Sequence, residues 1–166
     1  MKILETERLI LRELTADDAA FMLEVMNEPA FIRNVADRGI RTVADAKAYI
    51  LEKLAPSYAQ FGFGFYLVEL KEDATAVGIC GLVKRETMED VDIGYSTLER
   101  FCGRGYAYEA AAALMQHGTS VLGLPRIVGV TAPENLISIK LLEKLGLRYE
   151  RMVELPGYEG RSKLFG

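Results

Sequence analysis

One segment constrains this chain more than any other. A β-rich run, Val91-Asp-Ile-Gly-Tyr-Ser96, leads into Arg100-Phe-Cys-Gly-Arg-Gly-Tyr-Ala107, and an alanine-rich helical stretch follows from Tyr106. Two glycines between a strand and a helix let successive N–H groups turn into one concavity. The helix that follows adds the positive end of its dipole. A strand–loop–helix of this kind is suited to a phosphate or pyrophosphate, so a phosphorylated ligand is expected.

The surrounding pattern is that of one α+β domain spanning residues 1–166. At 166 residues and 50% hydrophobic, the chain can bury a core without disulfide or metal staples. Arg8 to Arg12 has strand character. Thr15-Ala-Asp-Asp18 is a helix-capping pattern, followed by Phe21, Met22, Val25 and Met26 at helical spacing, with a stop at Asn27-Glu-Pro29. Thr42-Val-Ala-Asp45 repeats the cap, and a second helix is expected through Ala46, Tyr49, Ile50 and Leu54, ending at Pro56. Residues from Asn34 to Arg41 are polar and are expected to form a loop.

Phe63 to Leu70, Ala76 to Val83 and Val91 to Ser96 are joined by short charged turns, which predicts an antiparallel meander. From Tyr106 on, Ala107, Ala110, Ala111, Leu114, Met115, Gly118, Val121 and Leu122 fall on one stripe. Its small residues would let the helix lie close to the sheet. A strand at Arg126 to Thr131, a helix at Asn135 to Leu145 and a hairpin of Leu147 to Glu154 with Ser162 to Phe165 complete the chain.

Several function classes are excluded or disfavoured by composition. The net charge of −4 argues against a general nucleic-acid binder, which carries a basic stripe. Cys80 and Cys102 form neither a disulfide framework nor a C-x-x-C motif, and with His117 as the single histidine no metal site is expected. Met1-Lys-Ile-Leu-Glu5 reaches charge too soon for a secretory leader, and Leu54 to Val68 is too interrupted to span a bilayer. A cytoplasmic protein without membrane contact is the expectation.

The glycine loop does not fit three common alternatives. No Lys-Ser/Thr pair follows Gly105, as a P-loop requires. Tyr108 stands where a dinucleotide fingerprint needs its third glycine, and the preceding meander is not a βαβ unit. Kinase-type loops lie between two strands, whereas this one opens a helix. A solvated glycine turn remains the alternative to a phosphate loop.

Arg100-x-x-Gly103-x-Gly105-x-Ala107 resembles the R/Q-x-x-G-x-G/A acyl-CoA loop of the GNAT superfamily of N-acetyltransferases. Ala132-Pro-Glu-Asn135-x-x-Ser138, with Leu141-Leu-Glu-Lys-Leu-Gly146-Leu, resembles that family's second helix–strand block. Thr6-Glu-Arg-Leu-Ile-Leu-Arg12 resembles the opening of the RimJ/RimL-type branch, the ribosomal-protein N-terminal acetyltransferases and their relatives. The resemblance implies a mixed, mostly antiparallel sheet splayed into a V between the fourth and fifth strands, with helices on both faces. It implies acetyl-CoA as cosubstrate, and no metal.

Carried onto this chain, the resemblance assigns the pyrophosphate to backbone N–H groups from Phe101, Cys102, Gly103, Arg104 and Gly105, with Tyr106 and Ala107 at the helix start. Arg100 and Arg104 would add charge. Ile93, Gly94 and Tyr95 would line the pantetheine arm, and Asn135 would contact it, a role compatible with capping its helix. Asp92 stands where the family often has glutamate and is the candidate base, acting through water; a solvated strand carboxylate is the other reading. The family's tyrosine acid is replaced by Leu142, which leaves Ser138 as the candidate donor to the CoA sulfur. His117, Cys102 and the aromatics Phe61, Phe63, Phe65 and Tyr66 read as packing or surface residues, and nothing in the sequence places Tyr149 or Tyr158 at the cleft.

The expected activity is acetyl transfer to a primary amine, either a protein N-terminus or a small amine, by a monomer or homodimer. An acyl-CoA sensor without turnover stays open as an alternative. So does an enzyme for a polyamine, an antibiotic or an amino acid.

Overall fold

A computed structural model describes residues 1–166. The chain alternates strands β1 (Lys2–Glu5) and β2 (Leu9–Glu13), helices α1 (Ala19–Met26), α2 (Pro29–Asn34), α3 (Val43–Tyr49) and α4 (Pro56–Phe61), and strands β3 (Phe65–Leu70), β4 (Ala76–Val83) and β5 (Val91–Thr97). Helix α5 (Tyr106–Ser120), strand β6 (Ile127–Thr131), helix α6 (Leu136–Lys144) and strands β7 (Tyr149–Val153) and β8 (Ser162–Phe165) follow. All eight strands join one sheet in the order β1-β2-β3-β4-β5-β6-β8-β7. Every neighbouring pair is antiparallel except β5 and β6, which are parallel because α5 carries the chain back across the sheet.

Strand alternation divides the core between the two faces. Tyr66, Val68, Cys80 and Leu82 pack with Ala110, Ala111 and Leu114 of α5 and with Leu142 of α6. Leu67 and Ile79 face the other way, toward Met22, Val25 and Met26 of α1 and Ala46 of α3. The helices therefore cover both faces, as the resemblance implies. No helix is long and apolar enough to cross a membrane.

Some expectations need correction. The short strand β1 adds an element at the start, so the parallel junction falls between the fifth and sixth strands counted along the chain. Helix α1 does stop at Met26 as expected, but Pro29 and Pro56 also each occupy the first turn of a new helix, where the missing N–H costs nothing. The second predicted helix leaves α-geometry at Ile50, where a π turn closed by Ala55 N–H to Ile50 C=O (2.8 Å) hands the chain to α4. Val121 lies beyond the end of α5 and is exposed.

Close approach at Gly129 on β6 fixes where α6 sits. A Cβ there would collide with the Leu142 side chain, which is only 1% exposed and has nowhere to move. Gly129→Ala is therefore expected to lower unfolding stability by about 1–3 kcal/mol through overpacking, measured by urea denaturation. The variant Leu142→Val in the same background should recover part of the loss.

Candidate active site

Strand β5 ends at Thr97, Leu98 is buried, and a single tight turn from Glu99 to Phe101 leads into the glycine loop. Gly103 and Gly105 both adopt left-handed conformations, with φ of 80° and 81°. L-residues avoid this region, so the alternation of glycines is what lets the main chain curl here. The N–H groups of Phe101 and Cys102 are used inside the turn, donating to Leu98 C=O (2.9 Å) and Glu99 C=O (3.1 Å). The next N–H to find an acceptor is that of Glu109, on Gly105 C=O at 3.0 Å. The amides from Gly103 to Tyr108 make no hydrogen bond within the protein. Of the amides expected to line the cradle, those of Phe101 and Cys102 are taken up inside the turn, while those of Gly103, Arg104, Gly105, Tyr106 and Ala107 are free, as is that of Tyr108. Such amides, with the helix dipole behind them, form an anion-binding concavity.

The side chains of the loop behave differently from one another. Arg100 is engaged by the Glu24 carboxylate on α1, which offsets its charge. Arg104 forms no ion pair and lies 5.9 Å from the centroid of the Phe101 ring. The Cys102 thiol donates toward Leu98 C=O at 3.5 Å, and burial with Glu28 and Glu99 nearby pushes its pKa up. It is accordingly a poor nucleophile.

Beside the loop, β5 and β6 pair only through Val91–Ile127, Asp92–Val128 and Ile93–Gly129. From Gly94 onward β5 keeps its β4 neighbour, through Gly81–Gly94 and Cys80–Tyr95, but has no partner on the β6 side. This is the expected V. Tyr95 reaches across its opening, its hydroxyl 2.9 Å from Ser138 Oγ on α6. Burial raises the Tyr95 pKa, so the phenol stays protonated; it donates to Ser138 C=O at 3.3 Å, while in its contact with Ser138 Oγ either hydroxyl can donate. Asn135 caps α6, its Oδ1 accepting from Ser138 N–H at 3.2 Å, while its NH₂ makes no hydrogen bond within the protein. Leu142 is buried beneath this site and offers no proton.

Asp92 is 2% exposed and lies two residues before Gly94, where the splay begins, on the face opposite Tyr95. Its Oδ2 accepts from Arg85 Nε at 3.0 Å, and Oδ1 is buried without a partner. Desolvation outweighs the attraction of Arg85 and raises the carboxyl to about 6. The Val130 amide also favours the charged form, to a lesser degree than Arg85. Arg85 also donates to the Tyr158 hydroxyl at 3.3 Å, with its guanidinium 5.4 Å from that ring. Tyr158 lines a surface cavity with Thr87, Leu155 and Arg161. An orphaned carboxylate oxygen with a near-neutral pKa is able to accept a proton at physiological pH.

The sequence reading did not anticipate Arg85, nor Tyr158's contact with it. It also left the Thr6–Arg12 motif without a role. Arg12 holds Asp18 through two bonds of 2.9 and 2.8 Å and reaches Glu69 at 3.2 Å, fastening β2 to the turn before α1 and to β3. Thr6 and Arg8 reach the first turn of α5 instead.

Residues 8–148 match the model of the acetyltransferase (GNAT) domain family. The uncharacterized N-acetyltransferase YnaD of Bacillus subtilis is 27% identical over 145 residues, which is 87% of this chain and 82% of that protein. The crystal structure of an acetyltransferase from Agrobacterium tumefaciens superposes with a TM-score of 0.82 at 27% identity, covering 99% of this chain and 92% of that one. RimL, an α-N-acetyltransferase of a ribosomal protein solved in complex with coenzyme A, shares the fold with a TM-score of 0.84 at 16% identity, over 99% of this chain and 96% of its own. A loop of free amides at the head of α5, a parallel pair that opens into a V, and a family match over most of the chain lead to one conclusion: this chain belongs to the GNAT family and is an acetyltransferase.

Proposed function

We propose that the chain transfers an acetyl group from acetyl-CoA to a primary amine, with the N-terminal α-amine of a protein or peptide as the favoured acceptor, in the manner of the RimJ/RimL-type branch. The observation that carries this reading is the run of unpartnered amides from Gly103 to Tyr108 beside the open edge of β5. These residues fit the cosubstrate: the amides and Arg104 suit its diphosphate, and the free edge from Gly94 to Thr97 suits its pantetheine arm. The unused NH₂ of Asn135 lies at the start of α6. When bound, acetyl-CoA supplies an acetyl group activated as a thioester.

The residues of the chain supply the rest. Main-chain N–H groups near Ile93 to Tyr95 hold the acyl carbonyl oxygen. Asp92 accepts the proton of the amine through water at its free Oδ1. Ser138 donates a hydrogen bond to the sulfur, and Tyr95 orients the serine by bonding to its Oγ. A CoA thiol with a pKa near 8.5 leaves with little further help, so the serine's contribution is modest. Ser138→Ala is expected to lower kcat by roughly tenfold with little change in the KM for acetyl-CoA, measured by steady-state thiol release.

The preference for an α-amine rests on energetics. An α-amine with a pKa of roughly 7.7–8.0 is already about a quarter to two-fifths neutral at pH 7.5, whereas a lysine near 10.4 requires about 4 kcal/mol for deprotonation at the same pH. A single carboxylate with a pKa of about 6 suits the easier task. The RimL likeness in fold and the Thr6–Arg12 motif support the same branch.

A free-thiol assay with acetyl-CoA, N-terminal peptides, polyamines and aminoglycosides tests the reading, with release expected on α-amine peptides. The buried Leu142 in place of a tyrosine acid favours a second reading, an acyl-CoA sensor without turnover. Tight CoA binding with no release on any acceptor would select it.

A further inference from the structure

Glu109 stands in the first turn of α5, four residues after Gly105, among the amides of the loop. A carboxylate there favours the positive helix end and competes with any anion bound to it. Its oxygens, however, are turned outward and occupied. The Thr6 hydroxyl donates at 2.5 Å, the Arg8 main-chain N–H at 3.0 Å and Arg8 Nε at 2.7 Å. Burial acts against the charge, yet the bonds from Thr6 and Arg8 keep the carboxyl below its usual range, so it stays ionised. Arg8 continues into the loop: Nη1 donates to Arg104 C=O at 3.0 Å, and the guanidinium lies 4.6 Å from the Tyr106 ring centroid. Its Nη2 has no hydrogen-bond partner and lies 3.4 Å from where a Cβ on Gly105 would be.

We propose that Arg8 is a positioning residue for the cosubstrate: it holds the Glu109 carboxylate off the loop amides, pins the Arg104 carbonyl outward, and places its free Nη2 on the rim of the diphosphate site. The inference rests on the loop's being that site. Pinning the Arg104 carbonyl fixes the peptide plane whose N–H belongs to Gly105, so that amide faces the concavity. Neutralising Glu109 removes a repulsive charge from beside two phosphate groups. The guanidinium is suited to all of this because its fork reaches a carboxylate and a carbonyl together, which an ammonium cannot. The arrangement also gives the Thr6-x-Arg8 part of the opening motif a purpose. It ties the β1–β2 turn to a helix more than a hundred residues further along the chain.

The pair is partly exposed, Arg8 by 44% and Glu109 by 20%, so its value for folding is small. A role in holding the cosubstrate therefore separates from a role in stability. The test is calorimetric titration of CoA into wild type, Arg8→Ala, Arg8→Lys, Glu109→Gln and the Arg8→Ala/Glu109→Gln double variant, with a thermal melt of each free protein. Arg8→Ala is expected to weaken CoA binding by about tenfold or more with a nearly unchanged melt. Arg8→Lys should recover only part of the affinity. Glu109→Gln should bind close to wild type, and the double variant should bind more tightly than Arg8→Ala, because the repulsive charge is gone. In turnover, the KM for acetyl-CoA should rise while kcat holds.

Wild-type affinity in Arg8→Ala would overturn the inference and leave the loop's assignment standing. A double variant as weak as the sum of both singles would overturn the charge-offset argument. If Arg8→Ala fails to fold, full CoA affinity in a folded Arg8→Lys would overturn the need for the fork. An absence of CoA binding by the wild type would remove the diphosphate site itself, and the inference with it.

Discussion

A Gly103→Val substitution is expected to raise the dissociation constant for CoA by about 100-fold, equivalent to ~3 kcal/mol, in a protein that still folds. Two effects combine. Gly103 has a φ of 80°, where a β-branched residue is a genuine outlier, so the loop would relax toward negative φ and lose the curl that aims its amides. In addition, no protein atom lies within 4 Å of a Cβ at this position. The side chain would stand in open space, free to obstruct the proposed diphosphate. The free protein should therefore tolerate the volume while the bound state does not. Gly103→Ala carries a smaller obstruction and a smaller strain, and should fall between valine and wild type in a calorimetric series. An affinity for CoA that stays the same through alanine and valine would mean that the diphosphate lies elsewhere. The free-protein melting temperature is the control: a large drop would show that strain, and not obstruction, dominates.

The parts of the fold that were legible in the sequence are those governed by local periodicity. The meander of β3, β4 and β5 and the small-residue stripe of α5 follow from side-chain alternation and helical spacing, and the structure forms both. The parts that were not legible depend on context. Pro29 and Pro56 have the same local chemistry as helix breakers, and only the direction of the chain before them makes them helix starters. Strand β1 is four residues long and becomes a strand by pairing with β2, which no periodicity over Lys2–Glu5 could announce.

The site divides the same way. The glycines of the loop and the Asn135 cap are encoded by neighbouring residues. The bonds of Glu109 to Thr6 and Arg8, the contact of Tyr95 with Ser138, and that of Arg85 with Tyr158 all join distant segments. A signal for the first did exist: an acid in the first turn after an anion loop needs a cation to offset it, and Arg8 belonged to a conspicuous motif. That the amides of Phe101 and Cys102 are not free could not be read from the sequence, because the turn from Glu99 to Phe101 consumes them and that depends on backbone geometry rather than residue type.

Asp92→Asn is expected to reduce kcat/KM by about 10²–10⁴, the usual range for loss of a general base, with CoA affinity nearly unchanged. The change is isosteric, and the cradle at Gly103 to Tyr108 lies on another segment. The pH profile carries the decisive information. The folded carboxyl is raised to about 6 from 3.8, and only its ionised form accepts a proton. Wild-type activity should therefore fall as pH drops through about 6, rather than near 4 as for an ordinary carboxylate, and Asp92→Asn should lack that limb. The stability sign is consistent: between 3.8 and about 6 the native state keeps a proton that the unfolded chain gives up, so stability is lost as pH rises across that window. Arg85 opposes the rise, so Arg85→Met should push the kinetic limb to higher pH, while the Tyr158 hydroxyl, bonded to Arg85 and not to the carboxylate, should matter less. A second limb near 8 is expected from the acceptor's own α-amine. The two are separable, since the upper limb should move with the pKa of the acceptor and the lower one with residue 85. A wild-type profile in Asp92→Asn would reduce the carboxylate to the ion-pair partner of Arg85 and leave deprotonation of the amine to solvent.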